Sequence, residues 1–539
     1  MEDDWSMKKL LTKLNSFPVF FYILPISLLF ALSLEPYGFV SAGFLSILLL
    51  IYSIDRLTKE HTIYFILIFS LSFSLCVTLF AFPWIWNAIQ NITGFSLPYC
   101  LLLFILYGLF SFYKIIFIPI GVHFLRKGRL SEVFLFLFGI PSLFLLSDSL
   151  FPMVFPVYWA DLFRNHILWR QSAFFGTEAM AFLTIFAISS IYLFLLPKKV
   201  AWMRYLYILP LVLLLILNFI LLLRPIDGEK SISLLLLQPN TPYAKDLDRE
   251  NRDFMSHTIQ NVFDLGMESI ENSGNQIDLI LLPESSIPFL GTKKGDDNDP
   301  MFSQTFLDIV NVWRKKSSAG VIYSELVWDQ GSRNSISFLG NGAIESERAY
   351  KEILLPFGEY VPLADLFPFV QRWFGEASHH KPGNGMPVFR FSSKKGMELK
   401  FSGSICYELL YSEAMRERVA RHKSQFMVNL TNDSWFESER EALQHAGAGK
   451  LRALELGIPV IRSAVSGVTV LFDPWGREID LGLARNTRGY RAIDFFPSKQ
   501  NNETFYIKYG TLPFRILSVG LLFLAALFSL KNVFIEKRV

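Results

Sequence analysis

Three residues carry the strongest chemical signal in this chain: Cys406, Glu284 and Lys351. Cys406 lies in Ser402-Gly403-Ser404-Ile405-Cys406-Tyr407-Glu408, where a thiol follows an apolar strand and a carboxylate lies two positions on. A turn of that kind can expose a thiol and aim backbone N–H groups at one point. A thiol nucleophile needs both its proton removed and its oxyanion held. A free cysteine is more often a small buried residue, so this segment leaves both readings open. Glu284 ends a second apolar run, Leu281-Leu282-Pro283-Glu284-Ser285-Ser286. A carboxylate leaving an apolar strand is partly desolvated, which raises its pKa and suits a general base. A turn cap is the equal alternative. Lys351 stands in Ala349-Tyr350-Lys351-Glu352-Ile353-Leu354-Leu355-Pro356-Phe357-Gly358-Glu359-Tyr360-Val361-Pro362. Taken singly it is a surface residue or a fixed charge for an oxyanion, and Glu359 occupies a rigid Pro/Gly-rich turn. Glu, Lys and Cys, each after a strand, are more specific as a set than singly.

Other polar candidates point elsewhere. His379-His380 lies in a polar loop without a third ligand type at metal spacing, and is expected to be solvated. His445 falls on a helix beginning near Glu439 and is expected to be packed or hydrogen-bonded. Lys293-Lys294-Gly295-Asp296-Asp297 reads as an exposed loop. No Walker A loop and no strand-anchored GxGxxG is present.

The elements that must position these residues alternate between strand and helix. Short apolar runs at Ser231–Leu237, Ile277–Leu282, Gly320–Tyr323, Ser335–Leu339, Leu399–Ile405, Gln425–Leu430, Pro459–Ser463 and Thr469–Phe472 read as strands buried on both faces. Helical periodicity covers Asn251–Glu271, Pro300–Lys316 and Glu439–Leu456, the last stopped by Gly457. The pattern predicts a layered α/β domain over 231–500.

On either side of that domain the chain is of another kind. Of 539 residues, 52% are hydrophobic, 53 are Phe and only 18% are charged, against about 25% in ordinary soluble domains. The mean hydropathy is +0.35 and the pI about 8.5. This excludes a disordered, collagen-like or nucleic-acid-binding class. Three cysteines exclude a disulfide framework, and Cys76 and Cys100 read as apolar fillers. A membrane crossing needs about 20 mostly apolar residues. Such runs fall near 17–34, 39–54, 62–82, 98–122, 132–151, 178–196 and 205–223, with another at 512–530. They predict a bundle of eight transmembrane helices: seven within residues 1–225, and the eighth within 511–539, which also holds a cytoplasmic tail. Lys114 interrupts the fourth run and Asp148 lies near the end of the fifth. Basic residues cluster at Lys8, Lys9 and Lys13, at Arg56 and Lys59, at Arg126, Lys127 and Arg129, at Lys198, Lys199 and Arg204, and at Lys531, Lys537 and Arg538. The loop with Arg164 and Arg170 breaks the alternation. The rest places both termini in the cytoplasm and the α/β domain outside it. Trp84 and Trp86 then read as interfacial anchors.

These segments resemble the apolipoprotein N-acyltransferase family, a membrane branch of the nitrilase (carbon–nitrogen hydrolase) superfamily. The resemblance rests on Pro283-Glu284, Tyr350-Lys351, Pro356-Phe357-Gly358-Glu359-Tyr360-Val361-Pro362 and Cys406-Tyr407-Glu408. Gln238-Pro239-Asn240, Arg333-Asn334-Ser335, Asn432-Asp433-Ser434-Trp435-Phe436 and Arg452-Ala453-Leu454-Glu455 extend it. It implies an α-β-β-α sandwich, a catalytic Glu284–Lys351–Cys406 triad, supporting roles for Glu359, Tyr407 and Glu408, and no cofactor or metal. It implies acyl transfer from a phospholipid, typically phosphatidylethanolamine, to the diacylglyceryl-cysteine amine of an apolipoprotein. The place implied is the bacterial cytoplasmic (inner) membrane, with the catalytic domain periplasmic, and a monomer is expected. Leu363, Leu366, Phe367, Phe369, Trp373 and Phe374 are expected to form a mobile arm that admits acyl chains. Thr241-Pro242-Tyr243-Ala244-Lys245-Asp246-Leu247, Glu437 and Asp148-Ser149-Leu150-Phe151 depart from the family pattern. A membrane-tethered amidase with the same triad, and a non-enzymatic sensor or transporter, are the rival readings.

Overall fold

The computed structural model describes residues 18–128, 130–196, 202–225, 230–242, 251–287, 291, 300–329, 331–362, 366–367, 380–499 and 503–536. The chain forms two compact units. One comprises Met1–Pro83, Leu97–Arg224 and Tyr509–Val539; the other comprises Trp84–Ser96 and Pro225–Lys508.

The first unit is helical. Val40–Glu60, Ile63–Ala81, Glu132–Leu150, Thr177–Leu195, Tyr205–Leu222 and Leu512–Ser529 are long and apolar enough to cross a membrane. Leu97–Ser111 and Tyr113–Lys127 together make a seventh such element, bent by 41°. Val19–Ser33 is apolar but shorter, so the count among the described residues is six, or seven with the bent pair. The two charges that interrupt the apolar runs explain each other. Lys114 sits at the bend and its Nζ donates to Asp148 Oδ1 at 2.5 Å, both side chains being buried. The rings of Phe112 and Trp159 lie 4.7 and 5.2 Å from that ammonium. A charge inside an apolar bundle persists where a partner meets it. The two arginines of the exceptional loop are buried as well. Arg164 pairs with Glu35 at 2.5 Å and with Asp161 at 2.9 Å, and Arg170 Nη1 donates to the Arg164 carbonyl at 3.1 Å.

The second unit contains two six-stranded sheets. Its strands are β1 (Ile232–Gln238), β2 (Leu279–Leu281), β3 (Gly320–Trp328), β4 (Ser332–Leu339), β5 (Glu347–Tyr350), β6 (Phe389–Ser392), β7 (Glu398–Ile405), β8 (Phe426–Thr431), β9 (Val460–Ala464), β10 (Val470–Phe472), β11 (Glu478–Ile479) and β12 (Gly489–Phe495). One sheet runs β12-β1-β2-β3-β4-β5 and the other β11-β10-β9-β8-β7-β6. The centres, β1-β2-β3 and β7-β8-β9, are parallel, and the outer pairs are antiparallel.

Helices Arg252–Ser273 and Pro300–Ser317 cover the first sheet, burying Val262, Leu265 and Trp313 against Leu235, Ile280 and Val321. Helices Ser412–His422 and Glu439–Leu456 cover the second, where Met415, Val419 and Leu456 meet Met427 and Val460. The inner faces meet through Phe338 and Phe401, whose rings are 5.5 Å apart. A Cβ added at Gly403 would lie 2.5 Å from Ile336 Cδ1, so β7 packs closely on β4 there and a larger residue would make the end of the Ile336 side chain move. The layers are thus helix, sheet, sheet, helix. The expected strands coincide with β1–β4 and β7–β10, and the three expected helices form.

Trp84 corrects one expectation. Its side chain is buried and its Nε1 donates to Gln444 Oε1 at 2.9 Å, within the second unit. A tryptophan whose N–H has a protein partner and whose ring is buried does not serve as an interfacial anchor.

Candidate active site

The three candidate residues sit at turns after strands of the second unit. Glu284 follows β2, Lys351 follows β5 directly, and Cys406 is the first residue after β7. The backbone at these turns is unusual. Ser285, Phe357 and Cys406 have φ of 53°, 66° and 52° without being glycine. A non-glycine residue held left-handed costs on the order of 1–3 kcal/mol, and such residues cluster where geometry serves a reaction. Cys406 is kept there by Asn429, whose Nδ2 donates to the Cys406 carbonyl at 3.0 Å.

Lys351 links the carboxylates. Its Nζ donates to Glu359 Oε1 at 2.8 Å and lies 3.7 Å from Glu284 Oε1. Glu359 is fixed in turn by the Leu355 N–H, 2.8 Å from Oε2. Glu284 accepts from Asn334 Nδ2 at 2.8 Å on one oxygen and from the Asn432 N–H at 3.0 Å on the other. Both donors leave the carboxylate in an acceptor role, as a base needs. Lys351 Nζ also lies 5.5 Å from the centre of the Tyr407 ring.

Glu408 does something different from its neighbours. It accepts from the Ile405 N–H at 2.8 Å, and from the Glu352 and Ile353 N–H groups at 2.9 and 3.1 Å. Arg418 pairs with it at 2.8 Å. This buried carboxylate therefore stitches the cysteine turn to the lysine turn. Burial would raise its pKa, but Arg418 and the N–H donors outweigh that and hold it below the ordinary carboxylate range.

Burial and mutual charge shift all three groups. Burial pushes the Cys406 thiol well up, and the nearby Glu284 charge adds to this while Lys351 opposes it. Burial also raises Glu284, with Lys351 lowering it and Glu359 raising it further. Burial would lower Lys351, yet Glu359 and Glu284 hold its ammonium above the ordinary lysine value. At neutral pH the thiol keeps its proton and Lys351 stays charged.

Glu284, Lys351, Glu359, Cys406 and Tyr407 line one cavity of about 490 Å³. Leu326, Trp328, Leu355, Trp435 and Phe436 supply apolar wall. His380, expected to be solvated, lines this cavity too. Its N–H donates to the Glu359 carbonyl at 3.0 Å and its Nδ1 lies 2.9 Å from Ser332 Oγ, because the chain after the arm segment pairs with the start of β4. Of the expected arm, Leu366 and Phe367 are described and exposed; Leu363, Phe369, Trp373 and Phe374 lie outside the described residues. His379, the lysines of 293–294 and residues 243–247 lie outside them as well. His445 is buried with Nδ1 3.2 Å from Asp433 Oδ1, a packed and bonded histidine as expected. Asn334 and Asn432 were not singled out for the chemistry. Asn432 carries a signal, a polar residue directly after the mostly apolar β8, whereas Asn334 lies within the polar start of β4 and carries none.

Residues 255–494, which hold most of the two sheets, match the family model of the carbon–nitrogen hydrolases. Here the domain shares a chain with a set of membrane-length helices. Whole-chain comparison is more specific. The chain is 31% identical over 535 residues to Apolipoprotein N-acyltransferase 1 of Leptospira interrogans serovar Lai, covering 88% of this chain and 91% of that one. It is 26% identical to Apolipoprotein N-acyltransferase 2 of the same species, covering 81% and 84%. The protein of that family from Wigglesworthia glossinidia brevipalpis is 24% identical, covering 84% and 87%. The chain belongs to the apolipoprotein N-acyltransferase family, and is a bacterial membrane protein.

Proposed function

We propose that the protein moves an acyl chain from a membrane phospholipid to the N-terminal α-amine of diacylglyceryl-cysteine in apolipoproteins. Cys406 is the nucleophile, Glu284 the general base and Lys351 the oxyanion's positive charge. The observation that carries this is the convergence of these side chains on one cavity with apolar wall.

Glu284 takes the thiol proton as sulfur attacks the donor's ester carbonyl. Lys351 and backbone N–H groups near Tyr407 hold the tetrahedral oxyanion. The carbon–oxygen bond breaks, the lysophospholipid oxygen leaves with the proton from Glu284, and an acyl thioester stays on Cys406. The acceptor's neutral amine then attacks that thioester, losing a proton to Glu284. An amide forms and the thiolate leaves, regaining the proton. This is a ping-pong scheme with a covalent intermediate. Apolar surroundings suit it, since water must be kept from the thioester between the halves. Glu359 fixes Lys351, Glu408 fixes the cysteine turn, and Tyr407 packs beside the ammonium. Leu366 and Phe367 belong to an arm that meets lipid. Val19–Ser33 counts as a crossing when its flank is included, giving eight spans, cytoplasmic termini and a periplasmic second unit. Phosphatidylethanolamine is the expected donor, and the enzyme acts as a monomer.

Mass spectrometry of the purified protein after incubation with phospholipid tests the mechanism. An acyl adduct on Cys406 is expected, removable by hydroxylamine and absent in Cys406→Ala. A folded protein that forms no adduct would refute the thioester route. Turnover of small soluble amides without acyl transfer would favour the amidase reading. An impermeant label in intact spheroplasts tests orientation, and labelling of 240–500 only after lysis would overturn it.

A further inference from the structure

Arg462 lies on β9, in the middle of the second sheet, with no exposed surface. Burying a guanidinium is costly, and an apolar replacement of such an ion pair is often at least as stable. Its place therefore asks for a reason other than stability. Its Nη2 donates to Asp433 Oδ1 and Oδ2 at 2.6 and 2.7 Å, its Nη1 to Asn429 Oδ1 at 3.2 Å, and its Nε to the Val468 carbonyl at 3.1 Å. Both side-chain acceptors lead to a reacting group in one further step. Asn429 Nδ2 donates to the Cys406 carbonyl at 3.0 Å. Asp433 adjoins Asn432, whose N–H donates to Glu284 Oε2 at 3.0 Å. Gly467 leaves the space this requires, since a Cβ there would lie 1.8 Å from Asp433 Oδ2.

Asp433, Glu441 and His445 also bring oxygen and nitrogen atoms within 4.8 Å of one another, a set that could hold a metal ion. Arg462 decides against that reading. Its Nη2 is bonded to both Asp433 oxygens and lies 3.3 Å from His445 Nδ1, so the guanidinium already supplies the cation.

We infer that Arg462 is a positioning residue: its planar fork sets the Cys406 turn and the Glu284 carboxylate relative to each other through Asn429 and the Asn432–Asp433 turn. A lysine cannot reproduce this, because one ammonium offers no rigid fork. The inference rests on Cys406 and Glu284 being nucleophile and base.

The test uses the full-length protein in detergent, with Arg462→Lys, Asn429→Ala and the double variant. Acyl-adduct formation on Cys406 from phospholipid should fall about 10–100-fold in Arg462→Lys, the scale of a small misplacement of reacting groups. The KM for phospholipid should change by less than about twofold. Asn429→Ala should lose part of this, and the double variant less than the product of the two single losses, since one of Arg462's two routes runs through Asn429. The second readout is alkylation of Cys406 by iodoacetamide across pH, followed on the Cys406 peptide and normalised to folded protein. Arg462→Lys should alter that profile. A folded Arg462→Lys with adduct formation within about twofold of wild type, or a loss that follows folded fraction while the alkylation profile is unchanged, overturns the proposal. If the wild type forms no adduct, the acyl-transfer reading fails instead, and the alkylation profile still decides the role of Arg462.

Discussion

Buried charges are handled differently in the helical unit and at the candidate active site. In the helical unit they close on one another. Lys114 meets Asp148, Arg164 is held by Glu35 and Asp161, and the buried Glu178 is met by the half-exposed Arg515 at 2.6 Å, which also donates to Ser149 Oγ at 3.1 Å. At the candidate active site a single ammonium, Lys351, faces two carboxylates and a thiol beside a cavity. The first arrangement satisfies itself. The second leaves an excess of negative and proton-bearing groups around one positive charge, and an incoming carbonyl is what can use them. Pairing alone therefore does not mark a site; a charge cluster open to a cavity does.

The contrast can be broken most sharply at the two lysines. Lys351→Met should lower acyl-adduct formation by roughly 10²–10³-fold, the scale of losing one oxyanion-stabilising group. Adding Glu359→Leu should restore thermal stability without restoring the adduct. In the helical unit Lys114→Met should cost about 3–5 kcal/mol, because Asp148 is left buried and unpaired. There the double variant Lys114→Met/Asp148→Leu should regain both stability and activity. Thermal unfolding and adduct mass spectrometry on the four proteins decide it. Equal rescue of activity in both units would remove the distinction.

The central strands and the strand-end site residues were legible in the sequence for one reason. A strand buried on both faces is a continuous apolar run, and a polar residue at its end is conspicuous. β12 was not legible because it is an edge strand: Arg491 and Asp494 stand three apart, which breaks both a continuous apolar run and a period-two alternation, and only pairing with β1 makes it a strand. β6 and β11 were missed as short outer strands, and β5 showed only as the strand-like pair before Lys351. Glu408 was visible, but its task was not, since Arg418 reaches it from a helix and the other donors come from the Lys351 turn. Asn334 and Arg462 read as ordinary polar residues until the sheets bring them to Glu284 and Asp433.

The pH dependence sharpens the comparison further. A protonated Glu284 cannot accept the thiol proton, so acylation falls as pH drops through its pKa. Burial and Glu359 raise that pKa, so the acid limb should lie above the ordinary glutamate value of about 4.3. Glu359→Gln removes one of the charges that raise it, and the limb should move to lower pH even as the rate drops. Glu284→Gln should abolish adduct formation at every pH. A limb in Glu359→Gln that stays where the wild type has it would mean the two carboxylates do not interact.

The smallest effect belongs to Trp84, which precedes the short helix Ile85–Thr93 within the second unit. In sequence it follows a membrane-length helix, yet its partners are Gln444 and the Phe436 ring, 5.3 Å away edge-on, while Asn91 Nδ2 donates to the Trp435 carbonyl at 3.2 Å. Trp435 and Phe436 are cavity wall. Trp84→Phe keeps a ring and removes the Gln444 hydrogen bond, so about 0.5–1.5 kcal/mol of stability should be lost. Because the same contacts hold the wall, the KM for phospholipid should rise by less than about tenfold with kcat unchanged. Hydrogen exchange should quicken in peptides covering 433–445 and stay the same in Val40–Glu60. A membrane anchor would give the opposite pattern. Replacing one aromatic ring with another would leave 433–445 as protected as before, and any change would fall on the helices.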